Sequence, residues 1–120
     1  MPIMTAPPLT IDMKPNETYI LSNADYYENL ALYNYSIPNF IVLNLPKESK
    51  KGDIIEIYAT CIFKIKPQKE TQILFFATYT ENSKQGCIIS CSRGQWIKLL
   101  CTSDDTEWMH VDSRGNFEIV

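Results

Sequence analysis

His110 is the only histidine in the 120-residue chain, and Asp112 and Ser113 follow it in the segment WMHVDS. A serine, a histidine and a carboxylate are the parts of an acyl-transfer triad. On a regular strand, however, Asp112 shares the face of His110 while Ser113 points away, and no Gly-x-Ser-x-Gly elbow occurs elsewhere. His110 is therefore read as a surface residue. Just upstream, Asp104, Asp105 and Glu107 cluster in SDDTE, and paired carboxylates can cut glycosidic bonds. Those carboxylates normally come from different strands lining a long cleft, for which a chain of this length has little room. A small polysaccharide hydrolase is accordingly the third reading of the chain, behind two non-enzymatic ones, and no catalytic residue is assigned.

Cys87, Cys91, Cys101 and His110 are the right types for zinc, but structural sites bring their ligands in closely spaced pairs. Cys87 and Cys91 lie four positions apart on one strand face, roughly 13 Å by strand rise, which one ion cannot span. With Cys61 they are read as packed, reduced thiols. No metal and no cofactor is expected. Phosphate-cradling patterns such as Gly-x-x-x-x-Gly-Lys are absent from the sequence, and Lys47, Lys50 and Lys51 read as a solvated turn that protects a sheet edge.

What is left for chemistry is binding. Trp108 follows the acidic loop, where an indole can stack on a sugar ring or anchor a protein contact. Trp108, His110, Asp104 and Asp105 form the candidate ligand-binding set, set against the reading that Trp108 and Trp96 are core aromatics. The tyrosines between Tyr26 and Tyr35 make a second candidate patch.

The elements that must position these residues read as strands. Four of the seven prolines fall in the first fifteen residues, which predicts an extended arm over residues 1–15 and one domain over 16–120. ETYILSN reads as a first strand with Tyr19 and Leu21 on one side and Ile20 on the other. Residues 24–34 hold the one segment that could form a short helix. FIVLNL, closed by Pro46, and DIIEIYATCIFKI, opened by Gly52-Asp53, read as a hairpin around KESKKG. In the longer strand Ile55, Ile57, Ala59, Cys61, Phe63 and Ile65 alternate on the core face, with a bend expected near Ala59 to Cys61. CIISC and WIKLLCT read as a second hairpin, followed by WMHVDS and a last strand FEIV. The expected fold is all-β: a single antiparallel β-sandwich or barrel-like domain of about eight strands.

In order along the chain come Asn16-x-x-Tyr19-Ile20-x-x-Asn23, Val42-Leu43-x-Leu45-Pro46, Gly52-Asp53-x-Ile55-x-Ile57 and Gln72-Ile73. Trp96-Ile97-x-Leu99-x-Cys101, Trp108 and Ser113-x-Gly115-Asn116 complete the series. The series resembles the small β-rich modules of bacteriophage tail-fibre and tailspike proteins and related virion surface proteins, over residues 16 to 120. The glycine-rich middle of such modules is replaced here by CIFKIKPQKE and LFFATYTENSKQG, which favours a self-standing head over a fibre-like repeat. The resemblance implies a non-enzymatic structural module of the virion: a tail-fibre head, a receptor-binding tip or a capsid decoration. It also implies a homotrimer, made in the host cytoplasm, whose partners are itself, other virion proteins and a host-surface glycan or receptor. In such a trimer Ile54, Tyr58 and Ile62, on the second face of the long strand, would pack near the threefold axis.

A formal charge of −3 argues against a nucleic-acid partner, which needs a basic surface. The chain has no apolar run long enough for a membrane helix and no signal peptide at its start. The alternative to the virion module is a monomeric carbohydrate- or protein-binding β-sandwich.

Overall fold

The computed structural model describes residues 4–5, 9–22, 35–36, 40–76, 88–90 and 95–119. All regular structure among them is β. The strands are β1 (Met4–Thr5), β2 (Thr10–Asp12), β3 (Thr18–Leu21), β4 (Tyr35–Ser36), β5 (Phe40–Asn44) and β6 (Ile54–Ala59). They continue as β7 (Ile62–Lys66), β8 (Ile73–Phe76), β9 (Ile88–Ser90), β10 (Gln95–Ser103), β11 (Glu107–Arg114) and β12 (Phe117–Ile119). The segment expected as a short helix, 24–34, lies outside the described residues.

Ten of these strands make two five-stranded sheets, and β1 and β4 form a separate pair. Sheet I has the order β12-β9-β7-β5-β2 and sheet II the order β3-β6-β10-β11-β8. Neither closes into a barrel. The buried side chains of both sheets form one cluster, with Ile41, Leu43, Phe63, Ile65 and Ile88 from sheet I facing Ile55, Ile57, Leu74, Ile97, Leu99 and Trp108 from sheet II. Each such side chain stabilises the fold by about 1.5–3 kcal/mol when taken out of water.

The fold is not antiparallel as expected but mixed. β2, β5 and β7 run parallel, as do β3 with β6 and β8 with β11. The cause lies in the path of the chain: from β5 to β10, consecutive strands alternate between sheets. The chain coils around its core, so β7 lies beside β5, laid down a full turn earlier, and runs in the same direction, whereas β9 joins β7 antiparallel. Between parallel β5 and β7 the crossover is a strand of the opposite sheet, β6, rather than a helix.

This path overturns both expected hairpins. β5 belongs to sheet I and β6 to sheet II, so LNLPKESKKGDIIEI is a bridge between sheets; β9 and β10 are divided in the same way. The hairpin among the described residues is β10–β11, around Asp104, Asp105 and Thr106. The bend in the long strand lies where expected, and its consequence is larger than expected. At Thr60 and Cys61 the chain leaves sheet II for sheet I, as strands do at the corners of packed sheets. Because both inner faces look onto one core, the same alternate set stays buried through the corner: Ile55, Ile57, Ala59, Cys61, Phe63 and Ile65. At the N-terminus, β2 is an edge strand of sheet I and Met13 is buried in the common core.

Candidate functional site

Three loops meet at one end of the molecule, and their carboxylates are occupied by backbone amides. Asp105 Oδ1 accepts from the Ser49 amide at 2.7 Å, and the Asp105 amide returns a bond to the Ser49 carbonyl at 3.1 Å. Asp104 Oδ1 accepts from the Lys51 amide at 2.7 Å. Asp53 Oδ2 accepts from the Lys50 amide at 2.8 Å, and its Oδ1 takes a bond from Asn16 Nδ2 at 3.0 Å. These bonds hold the Asp53 carboxyl below the usual aspartate range, with the Lys50 amide the larger cause. Asn16 and Asp105 adopt positive φ, 62° and 59°, a conformation their short polar side chains tolerate. The KESKKG segment is thus docked onto the β10–β11 turn. Asp104 and Asp105, expected as ligand contacts, each give an oxygen to that docking.

Trp108 is fully buried and belongs to the core cluster, so its ring is not offered to a ligand. His110 does not lie on the outer surface as expected. It pairs with Leu99 across β10–β11 and therefore shares the inward face. There it is half-buried, with its ring 6.5 Å from that of Phe117 in sheet I. Burial is the main cause that lowers its pKa from 6.5, against a smaller upward pull from Asp112. The facing of Asp112 and Ser113 is also reversed. Lys98 opposes Asp112 while Leu99 opposes His110, so Val111 is an extra residue in the ladder. Past this bulge Ser113 pairs with inward Ile97, and Asp112 is exposed. Cys61 and Cys101 are buried in the core cluster; Cys87 and Cys91 lie outside the described residues, as do Tyr26, Tyr27 and Tyr33.

The residues expected at a trimer axis do not share one surface. Ile54 and Tyr58 stand on the outer face of sheet II. Ile62 stands on the outer face of sheet I, because the chain changes sheet between them.

Tyr58 instead belongs to a row that the sequence reading missed. Across four strands of sheet II the register sets Ile20 beside Tyr58, Tyr58 beside Trp96 and Trp96 beside Arg114. Ile20 is 76% exposed and Tyr58 44%, the two large exposed apolar side chains among the described residues. The Tyr58 and Trp96 rings are 6.2 Å apart between centroids and tilted by 32°. With Thr60 and Gln95 this row lines an open cleft of about 470 Å³. Arg114 is exposed and has no ion pair with a described residue. The next row inward is polar: Thr18, Glu56, Lys98 and Asp112. A signal for the row is present in QWIKLLC. Gln95, Ile97, Leu99 and Cys101 take the buried alternation, which leaves Trp96 outward with Lys98.

In comparisons with known proteins, no family model matches the chain, and no curated protein matches it either.

Proposed function

We propose that the chain is a non-enzymatic β module of the bacteriophage virion surface, a tail-fibre head, receptor-binding tip or capsid decoration, that works by contact through the outer face of sheet II. The observation that carries this reading is the Ile20–Tyr58–Trp96–Arg114 row. A small domain gains nothing in stability from holding an isoleucine and a tyrosine in water, so such a patch marks a contact surface. The ordered motif series supports the virion setting. The carboxylates nearest to a hydrolytic reading are committed to backbone amides, which supports a non-catalytic role.

The test is saturable attachment. The fluorescently labelled chain is mixed with a panel of intact bacterial cells and read by flow cytometry. Tyr58→Ala/Trp96→Ala, verified as folded by circular dichroism, serves as the control. Binding to particular strains that the double variant loses supports a recognition head. Homotrimer formation is the second reading, and the exposure of Ile20 favours it because the same row could be covered by neighbouring copies. Light scattering then gives a mass near three times 13.8 kDa, and Ile20→Asp returns it to the monomer. A monomer that attaches to no cell, or attachment untouched by the double variant, overturns the proposal.

A further inference from the structure

We propose that the Tyr58–Trp96–Arg114 cleft binds a carboxylate-bearing sugar. The inference rests on the recognition reading above and assigns its ligand class. Tyr58 and Trp96 both line the cleft, with their rings adjacent and mildly inclined to each other, a pair that suits the C–H face of a pyranose. Arg114 stands beside Trp96 in the same register, two strand spacings or about 10 Å from Tyr58. A ring stacked on the aromatics therefore places a carboxylate within reach of the guanidinium, which can take it with two parallel N–H···O bonds. The Thr60 hydroxyl at the cleft wall donates to the Leu21 carbonyl at 3.4 Å and keeps its lone pairs for a sugar hydroxyl. A volume of about 470 Å³ falls in the range of small-ligand sites.

Charge separates this occupant from others. Among the described residues Arg114 is the one cation lining the cleft, in a chain of net charge −3, so the site suits a ligand with one negative charge per recognised unit. A nucleic-acid strand requires a track of cations instead. A protein partner, including a second copy, requires roughly 800 Å² of surface per side. Here the exposed large apolar residues among those described are confined to a single row, with Glu56, Lys98 and Asp112 in the next.

The assay uses tryptophan fluorescence, because Trp96 lies in the cleft while Trp108 is fully buried. The full chain is titrated with oligogalacturonate, a hyaluronan tetrasaccharide and sialyllactose. The methyl ester or reduced neutral form of each serves as its uncharged counterpart. At least one acid form is expected to change the Trp96 emission, with its neutral form at least about tenfold weaker. Arg114→Gln is expected to lose the same factor and to make binding insensitive to salt, and Arg114→Lys to recover part of it. Trp96→Phe removes the signal while calorimetry still detects binding. Equal binding of charged and neutral forms, or full affinity in Arg114→Gln, overturns the acidic-sugar assignment and leaves the recognition head in place. No binding of any probe, with cell attachment still lost in Tyr58→Ala/Trp96→Ala, overturns the assignment in favour of a protein receptor. No probe binding, with a trimer that Ile20→Asp dissociates, overturns it in favour of a second copy.

Discussion

Replacing Gln72 by methionine is expected to destabilise the fold by about 3 kcal/mol, although the two side chains have similar length and volume. Gln72 is fully buried where the chain passes from sheet I toward β8. Its Nε2 donates to the Pro46 carbonyl at 2.6 Å, in a bond closed off from water. Its Oε1 accepts from the amides of Gln68 and Lys69 at 2.7 and 3.2 Å. Methionine fills the space and makes none of these bonds. The Pro46 carbonyl is then left buried without a donor, which costs about 1–3 kcal/mol. The two amides lie nearer the surface and can turn to water, so their loss adds about 0.5 kcal/mol each. Urea unfolding measures the sum: the midpoint should fall while the slope stays constant, since the surface exposed on unfolding hardly changes. Gln72→Glu sets an oxygen against the Pro46 carbonyl and is expected to be at least as harmful at neutral pH. A loss below about 1 kcal/mol for Gln72→Met would refute the idea that this amide fastens the connection after β5.

Two glycines with similar backbones should respond differently to alanine. Gly52 has φ of 98° with open space where a methyl would stand, whereas at Gly115, with φ of 109°, a Cβ would lie 2.7 Å from Gln95 Cγ. Thermal melts should show Gly52→Ala costing about 1 kcal/mol and Gly115→Ala clearly more, because Gln95 is buried and has little room to yield. The pKa of His110 is lowered by burial, so below 6.5 the unfolded chain takes up a proton that the folded chain resists. Stability should fall with a slope of up to one proton as pH drops from 6.5 through the lower folded value, and His110→Phe should flatten that stretch in urea titrations. Asp53 has a lowered folded pKa, so its contribution is present above 3.8 and is lost as pH falls through the folded value. Acid unfolding followed by circular dichroism should be correspondingly less steep in Asp53→Asn. Trp108→Ala removes the largest fully buried side chain among the described residues and should cost about 3–5 kcal/mol, measured by the same urea unfolding.

Inward and outward facing was legible in the sequence wherever the strand was regular. The alternation from Ile55 to Ile65 names six buried positions correctly, and Leu21, Tyr19 and Ile20 face as their spacing implies. Two features escaped. Pairing partners are not encoded locally: KESKKG and SRGQ have the polarity of hairpin turns, yet the strands that flank each lie in different sheets and do not pair with each other. A bulge of one residue at Val111 has no compositional mark, and it inverted the facing of Asp112 and Ser113. The candidate site suffered from a related blindness. Trp108 drew notice for its neighbouring loop, but Tyr58, Trp96 and Arg114 come from three strands and become a row only when the register is known.

The coiling of the chain between sheets also sets an order of assembly during synthesis. β2, β5 and β7 are complete once residue 66 has left the ribosome, so the parallel part of sheet I can close early. Sheet II has to wait. β6 then has only β3 beside it, and β8 has no partner until β11 is made, because β10 and β11 form the middle of the sheet and come near the end of the chain. Throughout that interval the open flank of β6, with Ile55 and Ile57 beside it, is exposed to other nascent chains. Crowded expression is where such an unfinished edge finds the wrong strand, and slower translation or a holding chaperone should raise the soluble yield without altering the finished protein.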